Sequence, residues 1–116
     1  MLSGSMTISR VQENGVSIFV LAGRLETTTT VFLDREFNEA FNAGERKFVW
    51  DCSQLTYISS AGLRTVLQAL KRLSAHDGHL IIAAPSHHVL EVFEISGFKE
   101  LLALSPDRAK AIASLQ

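Results

Sequence analysis

Lys47-Phe48-Val49-Trp50-Asp51-Cys52-Ser53-Gln54-Leu55-Thr56-Tyr57-Ile58-Ser59-Ser60-Ala61-Gly62 is the stretch on which the fold turns. Lys47 to Asp51 is rich in β-formers, and the chain then passes through an apolar connector, Cys52 to Ile58, to two serines and a glycine. Beyond them Leu63, Val66, Leu67, Leu70 and Leu73 recur at i, i+3, i+4, i+7 and i+10, the stripe of an amphipathic helix that Asp77-Gly78 stops. A strand that hands its chain to a helix start is half of a βαβ unit, which predicts parallel strand pairing with helices on the sheet.

Upstream, two β-rich runs near 7–13 and 16–22 flank Asn14-Gly15, a hairpin signal. In the second run Val16, Ile18 and Val20 share one face and Phe19 and Leu21 the other, so this strand is expected inside the sheet, with Gly23 breaking it. Thr27 to Thr30 offer N-caps for a helix carrying Leu33, Phe37, Ala40 and Phe41 on one face and ending at Gly44. Downstream, His79 to Ala84 reads as a short strand closed by Pro85. Ser86 is placed to cap a third helix with Val89, Leu90 and Phe93 inward, Glu91 and Glu94 outward, and Ser96-Gly97 at its end. Phe98 to Leu104 is expected to hold a last short strand, and Ser105-Pro106-Asp107 reads as N-cap, N1 proline and first-turn acid of a helix to about Leu115. The expected fold is a single α/β domain over 6–115, a mixed, mostly parallel sheet of four to five strands with four helices packed against it. Residues 1–5 are read as a disordered start or expression remnant.

The chain's 116 residues make one domain, and 47% apolar with 20% charged residues is globular usage. Lys+Arg 11 against Asp+Glu 12 leaves a net charge of −1, without the basic footprint of a nucleic-acid binder. The longest apolar runs, such as Leu80 to Ala84, fall far short of the roughly 20 residues a membrane span needs, so no membrane insertion is expected. A lone cysteine, Cys52, cannot form an internal disulfide, which fits a reducing, cytoplasmic setting.

The segment Ser59-Ser60-Ala61-Gly62 brings two hydroxyls and a glycine to a helix N-terminus, where unpaired N–H groups and the helix dipole favour an attached negative group. A phosphoserine fits such a position. A plain N-cap role for Ser59 fits equally. Gly62 would cost about 1 kcal/mol relative to Ala were it merely helical, which points to a close approach by another group.

Asp51 through Arg64 resembles the signature of the STAS domain family, the bacterial anti-sigma factor antagonists. Gly23-Arg24-Leu25-Glu26 resembles the family's Gly-x-Leu-Asp loop, and Ile95-Ser96-Gly97-Phe98 its segment after the third helix. The resemblance covers roughly residues 6–115. It implies a non-enzymatic partner switch without cofactor, in which the unmodified form binds an anti-sigma factor serine kinase and frees a sigma factor. Phosphorylation switches binding off, and a phosphatase acting on phosphoserine restores it. The hydroxyl matching the family's phosphorylated residue is Ser60, with Ser59 as the alternative. Ser59 stands where members often have Asp, and Glu26 replaces the loop Asp, keeping its charge with a longer reach. The implied partner surface comprises Arg24, Glu26, Thr27, Thr28, Ser59, Ala61, Gly62, Leu63, Arg64 and Gln68. The alternative is a regulatory STAS subunit of a membrane transport complex or another signalling scaffold.

The remaining constellations are sparse. His76, His79, His87 and His88 lack the clustered carboxylates or cysteines of a metal site. Cys52 follows an apolar strand, where a thiol is ordinarily buried and inert, leaving a Cys- or His-based enzyme or phosphocarrier as the rival from a third class.

Overall fold

Asn14 and Gly15 both adopt left-handed backbone, at φ 53° and 78°, as the tight turn of a two-residue hairpin requires. In the computed structural model, which describes residues 2–3 and 6–116, this turn joins β2 (Met6–Glu13) to β3 (Val16–Leu25). α1 (Thr30–Asn42), β4 (Lys47–Ile58), α2 (Ser60–Ser74), β5 (His79–Ala83) and α3 (His87–Ser96) follow. A 3₁₀ turn (Phe98–Leu101), β6 (Ala103–Ser105) and α4 (Arg108–Ser114) complete the chain. The strands lie side by side in sequence order. β2 and β3 pair antiparallel, and β3 to β6 pair parallel. A two-residue strand β1 (Leu2–Ser3) adds to β2 at the edge, so the sheet of five strands gains a sixth. Leu2 and Ser3, within the stretch read as a disordered start or expression remnant, pair with Thr7 and Met6; Met1, Gly4 and Ser5 lie outside the described residues.

Crossovers that all step the same way along a sheet, with one hand, put their helices on one face. Leu33, Phe37, Ala40 and Phe41 of α1, Leu63, Val66, Ala69 and Leu73 of α2, and Val89 and Phe93 of α3 accordingly share one core with Phe19, Leu21, Phe48, Trp50 and Ile82. Its centre is aromatic: Trp50 stacks on Phe19 at 6.2 Å and meets the edge of Phe37 at 6.0 Å. Such pairs add about 0.5–1.5 kcal/mol each to the burial of the rings.

The opposite face would be left wet but for α4. Ala111, Ile112 and Leu115 cover Val16, Ile18, Val49, Ile81 and Ala83 there. The helix is anchored by an ion pair, with Arg108 Nη2 3.0 Å and Nε 3.1 Å from Asp51 Oδ2. Burial alone would raise the Asp51 carboxyl, but hydrogen bonds from Ser53 and the Arg108 guanidinium outweigh it and hold the group below the usual carboxylate range.

Several boundaries differ from the sequence reading. Gly23 does not break β3: at φ 105° it takes up an irregularity, and the strand continues to Leu25 because β4 pairs with it beyond that point. Likewise Cys52 to Ile58 is no connector but the second half of β4. The register slips between Val20 and Ala22 and again between Gly23 and Arg24, disrupting the alternation that marks a strand. Phe98 to Leu101 forms the 3₁₀ turn, and the last strand starts only at Ala103. Asp107, not Ser105, caps α4, accepting from Lys110 N–H at 2.7 Å. Ser86 makes no side-chain cap; its hydroxyl donates to Leu55 O at 2.7 Å and ties α3 to β4.

Because the Asp51 pKa is lower folded than unfolded, its contribution is present above the ordinary carboxylate pKa and is lost as pH falls through the folded value. Arg108→Ala should cost about 1.5–3 kcal/mol at neutral pH, as for hydrogen bonds to a charged group. In Asp51→Asn the acid limb of the stability profile should flatten. Urea unfolding at several pH values measures both, and an unaltered acid limb in Asp51→Asn would show that the pair does not anchor α4.

Candidate functional site

β3 and β4 end together, and α2 starts against that end. Ser59 N–H donates to Leu25 O at 2.9 Å, coupling the β4–α2 junction to the point where β3 leaves the sheet. Gly62, in the first turn of α2, is buried there. A β-carbon on it would stand 2.8 Å from Leu25 O and 2.8 Å from Ile58 Cγ1, far inside van der Waals contact with a carbonyl that cannot retreat. The close approach implied by this glycine is thus made by the chain itself, and Gly62 is not part of the exposed surface.

The adjoining serines have different environments. Ser59 is the N-cap, in extended conformation, and its Oγ accepts from Gly62 N–H at 3.2 Å. Ser60 is the first helical residue, is exposed, and its hydroxyl makes no hydrogen bond among the described residues. It stands beside the unpaired N–H groups of the first turn, where no acidic side chain occupies the positive end of the dipole. One hydroxyl is committed to the fold, and the other is presented to solvent.

The turn after β3 is held by its own side chains. Thr29 Oγ1 accepts from Glu26 N–H at 2.9 Å and donates to Arg24 O at 2.7 Å, leaving Thr27 and Thr28 exposed at the tip. Arg24 Nε is 3.1 Å from Glu26 Oε2, and its guanidinium lies 4.1 Å above the Tyr57 ring. His88 stacks on Tyr57 at 5.7 Å and 13°. The sequence did not link Tyr57 with His88, because only the fold places the start of α3 beside the end of β4.

Ser60, Leu63, Arg64 and Gln68 line one groove of about 510 Å³ with Leu67 and Lys71 of α2 and with Ser96 and Phe98 across from it. Leu63 is buried and reaches the groove as its floor. The expected surface residues therefore fall into two adjoining groups: the 24–28 turn, and the Ser59 end of α2 with its exposed side. Leu67, Lys71, Ser96 and Phe98 were missed. Leu67 was legible as part of the leucine stripe, but a stripe wider than the buried face does not reveal which member lies outside the core.

Cys52 is 3% exposed. Burial, reinforced by the neighbouring Asp51 charge, pushes its thiol up to about 12, so the thiolate that nucleophilic or redox chemistry needs is nearly absent at neutral pH. Among the described residues no helix is long and apolar enough to cross a membrane, and no group of three or more His, Cys, Asp or Glu could hold a metal ion.

The STAS domain family model matches residues 7–111. The chain is 36% identical over 111 residues to BtrV of Bordetella bronchiseptica, which is named for anti-sigma factor antagonism; the match covers 96% of each chain. Among solved structures, the Thermotoga maritima protein TM1081 superposes with a TM-score of 0.87 at 18% identity, covering 92% of both chains. The anti-sigma factor antagonist SpoIIAA in its unphosphorylated form gives 0.78 at 22% identity over 96% of both. SpoIIAA of Bacillus in its phosphorylated form gives 0.73 at 20% over 97% of this chain and 100% of the other.

Substitutions should separate the two serines. Loss of the Ser59 cap in Ser59→Ala should cost about 1 kcal/mol, Ser60→Ala should leave stability within about 0.5 kcal/mol, and Gly62→Ala should cost about 1–3 kcal/mol by overpacking. Urea unfolding followed by the emission of the buried Trp50 measures all three, and an equal loss in the two serine variants would contradict the division of roles. In the native state Cys52 should stay unmodified by a small aromatic disulfide reagent and react at once in denaturant.

Proposed function

We propose that this chain, which belongs to the STAS domain family, is an anti-sigma factor antagonist switched off by phosphorylation of Ser60. The unmodified form binds an anti-sigma factor serine kinase and frees a sigma factor; the phosphorylated form does not bind, and a phosphoserine phosphatase restores it. The chain acts in the cytoplasm as a binding module and carries out no chemistry of its own. The observation that carries the reading is the exposed Ser60 hydroxyl at the N-terminus of α2, which makes no hydrogen bond among the described residues. The name of the Bordetella relative and the existence of a phosphorylated SpoIIAA support the same reading.

The physics of the switch is local. A phosphate adds about −1.5 to −2 charge and three acceptor oxygens. At the start of α2 that charge meets unpaired N–H groups and the positive end of the dipole, so the domain stays folded. Against a partner packed around the same hydroxyl it is desolvated with no cation from the partner to offset the loss of water, a cost of several kcal/mol. Arg24, Glu26, Thr27 and Thr28 on one turn and Ser59, Ala61, Leu63, Arg64 and Gln68 along α2 form the surface proposed for the partner.

Incubation with the cognate kinase and ATP, followed by fragmentation mass spectrometry, should find phosphate on Ser60; phosphate on Ser59 alone would overturn the assignment. In titration calorimetry against the kinase, Ser60→Ala should bind like the wild type. Ser60→Asp, with less charge than phosphoserine, should bind at least about tenfold more weakly, a difference of about 1.4 kcal/mol. Equal affinities for the wild type, Ser60→Ala and the fully phosphorylated chain would eliminate the switch.

A further inference from the structure

The groove that begins at Ser60 continues along α2 well past the modified end, to Lys71, and its far wall is the segment that leaves α3. Its floor and walls are apolar, from Leu63, Leu67 and Phe98. The two most exposed large hydrophobic side chains among the described residues, Ile95 at 81% and Leu101 at 61%, belong to the same α3 and 3₁₀ segment. Apolar side chains gathered on one exposed segment beside an open groove mark an interaction surface rather than scattered surface residues.

Its charged lining has one sign. Arg64 and Lys71 line the groove and no carboxylate does. Arg64 is also the one arginine whose side chain has no hydrogen bond, ion pair or ring contact among the described residues. Arg10 meets Glu36 and Glu39, Arg24 meets Glu26, and Arg35 lies over Phe32. Arg46 donates to Phe41 O, Arg72 reaches Asn38, and Arg108 holds Asp51. Lys71 likewise has no carboxylate within ion-pairing distance among the described residues, whereas Lys99, on the opposite wall's segment, is held by Glu94 at 3.9 Å.

We propose that this groove docks an amphipathic helix of the partner, seating its apolar side chains on Leu63, Leu67 and Phe98 and its flanking carboxylates on Arg64 and Lys71. A lining that runs along one face of α2 suits helix-in-groove docking, in which side chains at i, i+3 or i+4, and i+7 of the visiting helix follow one another along the channel. From Ser60 to Lys71 the groove follows α2 for about 16 Å at the helical rise of about 1.5 Å per residue, matching some three turns of a partner helix. Ser60 sits at one end, one helical turn before Arg64, so i,i+4 geometry brings a phosphate there within reach of that guanidinium. The modification would then occupy the cation that the partner's carboxylates use, besides placing its own charge against them. This rests on the antagonist reading, since it takes the visiting helix to be part of an anti-sigma factor.

The test is calorimetric titration of the purified cognate anti-sigma factor into the full chain and its variants, each shown to be folded by Trp50 emission. Lys71→Glu and Leu67→Asp should weaken binding at least tenfold, and Phe98→Ala severalfold, while Lys110→Glu on α4 should bind like the wild type. Wild-type affinity should fall with added sodium chloride, and fall less steeply in Arg64→Gln. If Glu26→Lys and Ser60→Asp weaken binding but the groove variants do not, the groove proposal is overturned and the antagonist reading stands. Salt-independent affinity would overturn the acidic character of the helix, and absence of binding by the unmodified wild type would remove both readings.

Discussion

There is no room for a β-carbon at Gly62, and much of the site's arrangement depends on that contact. The first turn of α2 is pressed against Leu25 O and Ile58, so the end of β3, the end of β4 and the start of the helix form one rigid corner. The Ser59 N–H bond to Leu25 O closes the corner from the backbone side. With Gly62 turned into the corner, Ser60, two residues earlier and so about 200° around the helix, points away from it. Ser60 is exposed not because it is in a loose loop but because the residues on either side are locked.

A rigid corner also lets the phosphorylation proposed for Ser60 act without rearranging the fold. The core lies beneath α1, α2 and α3, centred on Trp50, Phe19 and Phe37, and none of these rings belongs to the groove lining. The second face is closed separately by α4 through Arg108 and Asp51. Charge added at Ser60 changes only what the outer surface offers. The Arg24–Tyr57–His88 stack reinforces the same end of the molecule, bracing β3, β4 and α3 against one another beside the turn that carries Thr27 and Thr28.

How far the sequence could be read depended on whether a signal was local. The face of α1 was legible residue by residue, since Leu33, Phe37, Ala40 and Phe41 follow helical spacing and all four are buried. The apolar residues on both faces of β3 likewise anticipated its two cores, Phe19 and Leu21 on one side and Val16 and Ile18 on the other. Failures came where a neighbour overrode a local cue. Gly23 reads as a break until strands on both sides supply partners. Ser53 and Gln54 are both exposed where the register slips, so one long strand looks like a strand plus a connector. Ser86 has the chemistry of a cap yet finds a better acceptor in Leu55 O, distant in sequence. The serine pair was visible from the start, but which hydroxyl is free depends on one hydrogen bond, Gly62 N–H to Ser59 Oγ, that spacing alone leaves open.

The same distinction applies to the surface. Residues on α2 share a helical face, so Ser60, Arg64 and Gln68 could be grouped from spacing, whereas Ser96 and Phe98 join them only because α3 runs back over the sheet beside α2. What makes the combined surface specific is that, among the described residues, every arginine but Arg64 has a hydrogen bond, ion pair or ring contact. Acidic residues outnumber basic ones by 12 to 11, yet among the described residues no carboxylate lies within ion-pairing distance of Arg64 or Lys71. An intramolecular carboxylate on Arg64 would hold it in place and screen it from a partner. Left unpaired among the described residues beside the Ser60 hydroxyl, the same guanidinium is available to a carboxylate from another chain or, under the phosphorylation proposed for Ser60, to a phosphate on its own, and a site that can satisfy only one of them at a time would act as the proposed switch.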